Sequence, residues 1–405
     1  MRTLGRSGAI AGAISTLLVA AVGPGVAGAV AAPDDDPFYR PPANYAVQTD
    51  GAVLRTRVIT ATALSVPLPA HATQVLFKSI DAHRQPTAEV ATVLVPIAPW
   101  PGPGARPLVS YQTAEDGVGS QCAPSYALRA GLLAATSNAA LETPVIALLL
   151  ARGWAVVTTD YEGPESQFLA GPQEGYAVLD GIRAALALHP SGLSQDAPVA
   201  LWGYSGGAFA TAWAAALRTS HAPELALAGI AFGGLPADLE TSMRTIDGGY
   251  GFGLVFGGLI GLDRAYPEAG LRSLLNARGL TEVQRSGSAC TVALLATYLF
   301  GSLATYTYSA HPYDTKVLHD VLAANSPRPA QTGTPVYSYH ATADELVPMA
   351  VEDAFVAKYC AAGDRVQIVR TQGGSHNTEL LSGAPGAIAF LANRFAGNEP
   401  VDNCP

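Results

Sequence analysis

The sequence predicts an α/β fold in which a mainly parallel sheet is covered by helices on both faces. Short runs rich in β-branched and aromatic residues indicate strands, and helical patterns lie between several of them, most clearly over residues 174–189. Strands that alternate with helices of this length are typical of parallel sheets. The predicted strands are residues 74–78, 90–96, 107–111, 155–159, 199–203, 227–232, 335–340 and 366–370. The other predicted helices are residues 144–152, 208–218, 350–361 and 387–395.

The alternation stops between residues 233 and 330, where the chain is rich in Gly and Leu and shows no clear strand. We expect an inserted helical cap here, between a first core part at residues 33–232 and a second at residues 331–405. Its large apolar side chains need covering, because an exposed group of them would form an interaction surface or a lipid-facing groove. These side chains are Leu254, Val255, Phe256, Leu259, Ile260, Leu262, Leu294, Leu295, Tyr298, Leu299 and Phe300.

The composition excludes a disordered chain and disfavours a nucleic-acid partner. Of the 405 residues, 49% are hydrophobic and 14% are charged, so the chain can bury a large core. The formal net charge is −9, and the chain contains only three Lys residues. Binding to a phosphate backbone depends on clusters of Lys and Arg, which this sequence does not contain.

Residues 1–32 have the pattern of a secretory signal peptide. Arg2 and Arg6 give a positive start, residues 10–22 are apolar, and the small residues around Ala29 suit cleavage. A membrane anchor is the alternative, but Gly and Pro interrupt an apolar run that falls short of the ~20 residues a span needs. We therefore expect export, either to the extracellular space or to the cell envelope.

The four cysteines are Cys122, Cys290, Cys360 and Cys404, and no two form a C-x-x-C pair. An even number of cysteines in an exported chain indicates two disulfides rather than a zinc site. Three pairings of four cysteines are open at this point. No H-E-x-x-H pattern and no phosphate-binding G-x-x-x-x-G-K-[ST] loop is present, so we predict neither a metal nor a cofactor.

A G-x-S-x-G pattern at Gly203, Ser205 and Gly207 follows a predicted strand and precedes an alanine-rich helix. In this context the glycines allow a sharp turn that exposes the serine hydroxyl, and N–H groups at the helix start can bind an oxyanion. We predict that Ser205 is a nucleophile. The alternative is a serine that caps the helix in an ordinary tight turn.

A serine nucleophile needs a histidine base that is oriented by a carboxylate. Asp344 leaves the predicted strand 335–340, and His376 follows the last predicted strand in a glycine-rich loop. We therefore predict Asp344 as the orienting acid and His376 as the base. Glu345 is the rival acid, which we expect to be a solvated neighbour, and His340 lies within its strand, where we expect it to pack against neighbours.

Several further motifs accompany these residues along the chain. The motifs are Asp35-Asp36-Pro37-Phe38-Tyr39, Ser110-Tyr111-Gln112, Glu115-Asp116, Cys122-Ala123-Pro124-Ser125-Tyr126, Asp160-Tyr161-Glu162-Gly163, Leu179-Asp180-Gly181-Ile182-Arg183-Ala184, Gly203-Tyr204-Ser205-Gly206-Gly207-Ala208, and His340-Ala341 before Asp344-Glu345-Leu346-Val347-Pro348. In this order the motifs resemble those of the secretory lipase family of the α/β-hydrolase superfamily. The resemblance covers nearly the whole chain after residue 32, and it implies an α/β-hydrolase fold.

The resemblance also implies hydrolysis of lipid or other carboxylic esters without a cofactor. It assigns the triad to Ser205, Asp344 and His376, and by motif match Asp116 resembles the family's oxyanion-hole residue, with the N–H of Gly206 as its partner. Disulfides like those of the family would join Cys122 with Cys290 and Cys360 with Cys404. Ala114 departs from the motif, where a tyrosine stands beside the oxyanion aspartate, so substrate fit is expected to differ.

The expected partner is a lipid or small-molecule ester, with transient contact between the cap and a lipid interface. Two other functions stay open from the sequence. One is an esterase or acyltransferase that acts on soluble esters without interfacial activity. The other is a secreted binding protein without catalysis that is built on the same fold.

Overall fold

A nine-stranded sheet runs through the residues that this computed structural model describes, which are 30–188 and 192–405. The strand order is β1-β4-β5-β7-β6-β8-β9-β10-β11. Pairing is antiparallel from β1 to β7 and parallel from β7 to β11. The strands are β1 (Val53–Ile59), β2 (Thr62–Ala63), β3 (Val66–Pro67), β4 (Ala70–Ile80), β5 (Pro86–Pro96), β6 (Leu108–Gln112), β7 (Ala155–Thr159), β8 (Val199–Tyr204), β9 (Leu227–Gly233), β10 (Val336–Ala341) and β11 (Val366–Thr371). The short strands β2 and β3 pair only with each other.

Helices cover both faces of the sheet, which confirms the predicted α/β fold class. Consecutive residues of a strand point to opposite faces, so Val157 and Leu201 belong to one hydrophobic cluster, and Val156 and Trp202 to another. The helices are α1 (Pro124–Ala130), α2 (Asn138–Ala151), α3 (Gly171–Ala187), α4 (Gly206–His221), α5 (Leu239–Ile246), α6 (Phe252–Ala265), α7 (Ala277–Ser286), α8 (Thr291–Thr297), α9 (Lys316–Asn325), α10 (Met349–Ala361), α11 (His376–Ser382) and α12 (Ala384–Phe395). Helices α3 and α4 pack on the first face, and α2 and α12 pack on the second.

All eight predicted strands are present, but the edge strand β1 was not predicted. Its burial alternates between exposed and half-buried positions, and it carries Arg55 and Arg57. An edge strand that is exposed on one side needs no continuous apolar run, so its sequence gives a weak signal. The short helices α1 and α11 were also not predicted, because each spans only seven residues.

The segment between β9 and β10 contains helices α5 to α9, and we call residues 233–330 the proposed cap segment. Most of its large apolar side chains are covered: Phe252, Phe256 and Leu262 are fully buried. Leu299 and Phe300 are adjacent exceptions, with 53% and 69% of their surface exposed, and Leu280, Val292 and Tyr308 are also exposed.

Glycines let helix α6 approach its neighbours closely. A Cβ on Gly253 would lie 2.4 Å from the carbonyl oxygen of Leu294, and a Cβ on Gly261 would lie 2.3 Å from that of Phe168. The glycine-rich stretch therefore belongs to tightly packed helix.

Two disulfides join Cys122 to Cys290 and Cys360 to Cys404, with Cα–Cα distances of 5.3 and 5.6 Å. The first ties the proposed cap segment to the loop that begins α1, and the second ties α10 to the carboxyl end of the chain. The sequence alone left three pairings open, and the pairing implied by the family resemblance is the one observed.

Residues 32–405 form one compact unit. Among the described residues no single helix is long and apolar enough to cross a membrane, and only the sharply bent pair Pro124–Ala134 and Asn138–Ala151 meets these criteria together. Residues 1–29 of the predicted signal peptide and His189, at the end of a predicted helix, lie outside the described residues.

Candidate active site

Ser205 occupies the sharp turn between strand β8 and helix α4. Its backbone has φ 54° and ψ −121°, a conformation that is rare for residues with a side chain. Hydrogen bonds fix the turn on both sides, because Ser205 N donates to Gly233 O at 2.9 Å and Phe209 N donates to Ser205 O at 3.0 Å. This geometry makes the Ser205 hydroxyl project outward from the carboxyl edge of the sheet.

The glycines of the G-x-S-x-G pattern are required by close backbone contacts. A Cβ on Gly203 would lie 2.1 Å from the carbonyl oxygen of Gly207. A Cβ on Gly207 would lie 2.0 Å from the carbonyl oxygen of Gln112 on β6. No side chain fits at either position without moving the backbone, so these residues let helix α4 start directly against the sheet.

His376 is the first residue of helix α11, and its ring faces Ser205. The distance from His376 Nε2 to Ser205 Oγ is 2.8 Å, and the residue is 3% exposed. Its backbone is held at both ends, because its N–H donates to Glu345 Oε2 and its carbonyl accepts from the Tyr204 hydroxyl at 2.7 Å. Ser375 caps the helix by accepting from Thr378 N, which fixes the start of the helix.

Asp344 contacts the other nitrogen of the His376 ring. Its Oδ2 lies 2.7 Å from His376 Nδ1, while its Oδ1 accepts from the backbone N–H groups of Leu346 and Val347 at 2.9 and 2.8 Å. Burial opposes ionisation, but hydrogen bonds from His340 and His376 outweigh it and hold the pKa of Asp344 well below its usual value. Asp344 is therefore an ionised, fixed acceptor.

The structure thus brings the three predicted residues into one row at the carboxyl ends of β8, β10 and β11. These strands are parallel, so the segments that follow them meet at the same edge. The rival acid, Glu345, is exposed and contacts the backbone of His376 rather than its ring. It also accepts a hydrogen bond from the Tyr250 hydroxyl in the proposed cap segment at 2.6 Å.

Asp116 and Gly206 lie side by side next to Ser205. A Cβ on Gly206 would lie only 1.9 Å from Asp116 Oδ1, so a glycine is needed where the carboxyl group packs. Gly206 begins helix α4, and its N–H therefore has no partner within the helix. Burial raises the pKa of Asp116 to about 6, against the lowering effects of Asn138 and His376.

The loop that carries Asp116 is fixed by Glu142 on helix α2, a residue that the sequence analysis missed. Its carboxyl oxygens accept from Ala114 N at 2.8 Å and from the Tyr111 hydroxyl at 2.6 Å. Burial raises the pKa of Glu142 to about 8. Ala114 is buried, so the loop is anchored here through its backbone.

Three more buried acids lie near this loop, and no basic side chain of the described residues bonds to them. Burial raises the pKa values of Glu115, Glu162 and Glu174 well above the usual value, and the acids raise one another further. Glu115 accepts from Tyr161 N, and Glu174 accepts from Leu169 N. Burial thus shifts these acids toward their neutral form, behind the site.

A small, partly open apolar cavity lies above Ser205. Ser205, Gly206 and Asp116 form its polar base. Its walls come mainly from the proposed cap segment and from the loop before α3, and they include Phe168, Leu169, Met243, Ile246, Leu254 and Val255. A site of this shape accepts an apolar chain whose polar end meets the serine.

One group of side chains among the described residues has the spacing of a metal site: Asp50, Asp180 and His221. Cations of the protein already occupy its carboxylates, because Lys78 pairs with Asp50, and Arg183 pairs with Asp180 at 2.8 Å. This group forms a network of ion pairs at the end of α4, away from Ser205.

A sheet of this order, with a serine on the turn after β8 and an acid and a histidine after later strands, defines an α/β-hydrolase. The chain belongs to the secretory lipase family, because its residues 128–403 match the model of the family described as "Secretory lipase". The family predicted by resemblance is therefore confirmed.

Relatives match along nearly the whole chain. The protein is 34% identical over 391 residues to Lipase A of Arthroderma benhamiae, which covers 92% of this chain and 81% of that protein. It is 36% identical over 386 residues to a Mycobacterium tuberculosis protein named "Probable inactive lipase MT1628", with coverage of 92% and 84%. The crystal structure of Candida antarctica lipase A superposes with a TM-score of 0.84 at 30% identity, covering 93% of this chain and 89% of that one.

Proposed function

We propose that this protein is an exported serine hydrolase that cleaves carboxylic esters of lipids. The observation that carries the proposal is the row from Ser205 Oγ to His376 Nε2 and from His376 Nδ1 to Asp344 Oδ2, at 2.8 and 2.7 Å. This row lies at the polar base of an apolar cavity. Membership of the secretory lipase family supports the same substrate class.

In the first half of the reaction, Ser205 Oγ attacks the ester carbonyl carbon while His376 Nε2 takes the hydroxyl proton. Asp344 accepts from Nδ1–H and stabilises the positive charge that forms on the ring. The tetrahedral intermediate collapses, the bond to the alkoxy oxygen breaks, and His376 returns the proton to the leaving alcohol. The acyl group is then bound to Ser205 as an ester.

In the second half, His376 takes a proton from water as the water oxygen attacks the acyl carbon. Collapse of the second intermediate breaks the bond to Ser205 Oγ, which regains its proton from His376, and a carboxylic acid leaves. An alcohol in place of water gives transesterification by the same steps.

The developing oxyanion needs donors next to the Ser205 turn. The N–H of Gly206 is placed for this role by the start of helix α4. Asp116 lines the same cavity beside Gly206, and its carboxyl group, when protonated, is a second donor there. One donor of this kind is worth about 3–4 kcal/mol of barrier lowering.

The walls of the cavity favour esters with an apolar acyl chain. Met243, Ile246 and Leu254 contribute aliphatic surface from the proposed cap segment. Each methylene that leaves water there contributes about 0.8 kcal/mol to binding. The exposed Leu299 and Phe300 of the same segment are suited to transient contact with a lipid surface.

Export is part of the proposal. The pattern of residues 1–32 is that of a signal peptide, and the two disulfides suit an oxidising compartment. Detection of a chain that begins near residue 32 in the culture medium or cell envelope supports export. Retention of the full-length chain in the cytoplasm overturns it.

The test is a panel of esters with acyl chains of increasing length, together with an emulsion of triacylglycerol, assayed on the native protein and on Ser205→Ala. We expect turnover of apolar esters that Ser205→Ala abolishes, with a higher rate on the emulsion than on the dissolved ester. Turnover confined to short soluble esters favours the esterase alternative. If no ester is turned over and a fluorophosphonate labels no residue, the binding-protein alternative is favoured. The Mycobacterium tuberculosis relative is named as a probable inactive lipase, which is why this alternative is tested.

A further inference from the structure

A second histidine, His340, contacts the carboxylate of Asp344. His340 lies at the end of strand β10 and is completely buried. Its Nε2 is 3.2 Å from Asp344 Oδ2, the oxygen that also accepts from His376 Nδ1. The carboxylate thus lies between two imidazole rings, and only one of the rings reaches Ser205.

The other contacts of His340 require hydrogens on both ring nitrogens. Nε2 lies 3.1 Å from the carbonyl oxygen of Val347, which can only accept. Nδ1 lies 2.8 Å from Glu352 Oε2 on helix α10. If Glu352 is ionised, both nitrogens donate and the ring carries a positive charge.

The partners of Glu352 indicate that it is ionised. Its Oε2 also accepts from Leu235 N at 2.8 Å, and its Oε1 accepts from the Ser338 hydroxyl at 2.5 Å. Arg370 donates to Ser338 Oγ at 3.0 Å, which leaves the Ser338 hydrogen for Glu352. The Arg370 guanidinium itself lies 3.5 Å from Glu352 Oε1. A buried carboxyl group with this many donors is stable as a carboxylate.

The electrostatics agree with this assignment. Burial disfavours the charged ring, but Asp344 and Glu352 outweigh burial and raise the pKa of His340 to about 10. The charged or titratable groups around the ring are Asp344 on the loop after β10, Glu352 on α10 and Arg370 on β11, with His376 on α11 and the Tyr204 hydroxyl on β8 beyond Asp344. Asp353 pairs with Arg370, and Glu345 contacts the backbone of His376.

We propose that His340 is a positioning residue for the triad: its imidazolium binds Asp344 Oδ2, aligns the carboxylate with His376, and offsets part of its negative charge. The proposal rests on the proposed function. It assigns to a buried strand residue a role that packing alone does not require, because a neutral side chain of similar size would fill the same space.

Partial neutralisation of the Asp344 charge by His340 affects the pH dependence of activity. A full negative charge at Asp344 would stabilise the protonated form of His376 and so remove the base at low pH. With His340 charged, His376 stays neutral, and able to accept the Ser205 proton, down to a lower pH. Without that charge, activity requires a higher pH.

The variant that tests this is His340→Gln, which keeps a hydrogen-bond donor but loses the charge. We expect the acidic limb of the kcat/KM profile on a dissolved short-chain ester to move up by about one pH unit. We also expect kcat at the plateau to fall by about 10-fold, with KM little changed, because the base is less well aligned. A loss of thermal stability with an unmoved acidic limb shows a packing role only and overturns the proposal.

The control is His221→Gln, in a half-buried histidine that contacts Asp180 at 2.9 Å. It ends helix α4, whose sixteen residues place it about 20 Å from Ser205. This variant should leave the acidic limb unchanged. A shift as large as that of His340→Gln would show that the effect is not local, which would overturn the proposal.

A measurement on the native protein does not depend on turnover or on the folding of a variant. Nitrogen NMR of the histidine rings should show both nitrogens of His340 protonated from pH 5 to pH 8, and a neutral ring at pH 7 overturns the proposal. The titration of the His376 ring should move to higher pH in His340→Gln. If the native protein cleaves no ester, the proposed function fails, while these ring signals still decide the role of His340.

Discussion

The rim of the sheet and the proposed cap segment are held in place by different forces. At the rim, Ser205, His376 and Asp344 are fixed by directed hydrogen bonds of 2.7–2.8 Å and by backbone donors. In the cap segment, helix α6 is fixed by close packing of apolar residues and glycines, and Cys290 ties the segment to the core.

This difference separates the chemistry from the choice of substrate. In the proposed mechanism the hydrogen-bonded row depends on a few polar atoms, so we expect a change of one atom to alter the reaction rate for every ester. The cavity wall depends on summed apolar contacts, so changing one side chain alters which acyl chains fit. Each prediction below acts on one region and leaves the other as its reference.

The largest effect is expected for Asp344→Asn, which keeps the shape of the rim but removes the charge. The backbone N–H groups of Leu346 and Val347 hold the amide oxygen, so the amide NH2 faces His376 Nδ1 and donates to it. The ring is then held in the wrong tautomer, and kcat should fall on the order of 10⁴-fold for all chain lengths. Glu345→Gln is the matched control, because Glu345 contacts the backbone N–H of His376 and not its ring. Steady-state kinetics should show a change of a few-fold there, and equal losses in the two variants would contradict the assignment of the acid.

The next effect concerns the buried carboxyl group of Asp116. Burial raises the pKa of this group from the usual 3.8 to about 6. The folded protein holds this proton more tightly than the unfolded chain, so the stability that the group contributes is full below pH 3.8 and is lost as the pH rises through about 6. Asp116→Asn removes this loss. At pH 8 the free energy of unfolding should rise by up to about 3 kcal/mol relative to the native protein.

Denaturant unfolding at pH 4 and pH 8 measures this difference. The control is Asp196→Asn, at an exposed position, which should change stability equally at both pH values. Asp116→Asn also keeps a donor beside Gly206. In ester hydrolysis assays at high pH, the variant should therefore retain more activity than the native protein. A native-like pH dependence of stability in the variant would contradict the assignment.

A change in the cavity wall should act on chain length rather than on catalysis. Leu254→Trp fills part of the cavity above Ser205, so long acyl chains should lose binding while a butyryl ester is little affected. The ratio of palmitoyl to butyryl kcat/KM should fall by about 10-fold, since each displaced methylene is worth about 0.8 kcal/mol. Leu280→Trp, at a position 40% exposed on helix α7 in the same segment, should leave the ratio unchanged. Similar ratios in the two variants would show that the cavity does not bind the acyl chain.

The smallest effect separates the two disulfides. Cys122–Cys290 closes a span of 168 residues and Cys360–Cys404 a span of 44. A longer loop loses more entropy in the unfolded chain, so removing the first disulfide by double alanine substitution should cost about 1 kcal/mol more than removing the second. Denaturant titration of the two double variants measures the difference. A larger loss of stability on removing Cys360–Cys404 would show that local contacts, and not loop length, determine how much each disulfide stabilises the protein.

The difference between the hydrogen-bonded rim and the apolar cap segment also explains which features the sequence could predict. Ser205 could be predicted as a candidate because its turn depends on neighbours within two residues. Asp344 and His376 could be predicted as its partners because parallel strands bring their loops to one edge, where the structure places all three together. The charge of His340 was not foreseen, because it depends on Glu352 from helix α10, twelve residues along the chain. The four-residue spacing from His340 to Asp344 was the one available signal.

The cap segment shows the other limit of sequence reasoning. Its apolar residues predicted that something covers them, and most are buried. Their pattern did not specify which of them line the cavity and which pack between helices, because both roles need the same residue types. Glu142 and Glu174 were missed, and Glu115 and Glu162 were noted only as parts of motifs, for a related reason: the burial that raises their pKa values comes from distant segments.

The central claim is that the Ser205 hydroxyl is made nucleophilic by the hydrogen-bonded row at the rim. The direct measurement is the rate of covalent labelling by a fluorophosphonate, with the modified residue identified by peptide mass spectrometry. We expect rapid labelling of Ser205 alone, none in Ser205→Ala, and labelling slowed by at least about 10³-fold in His376→Ala. Labelling of another residue, or an equal rate in His376→Ala, would contradict the account.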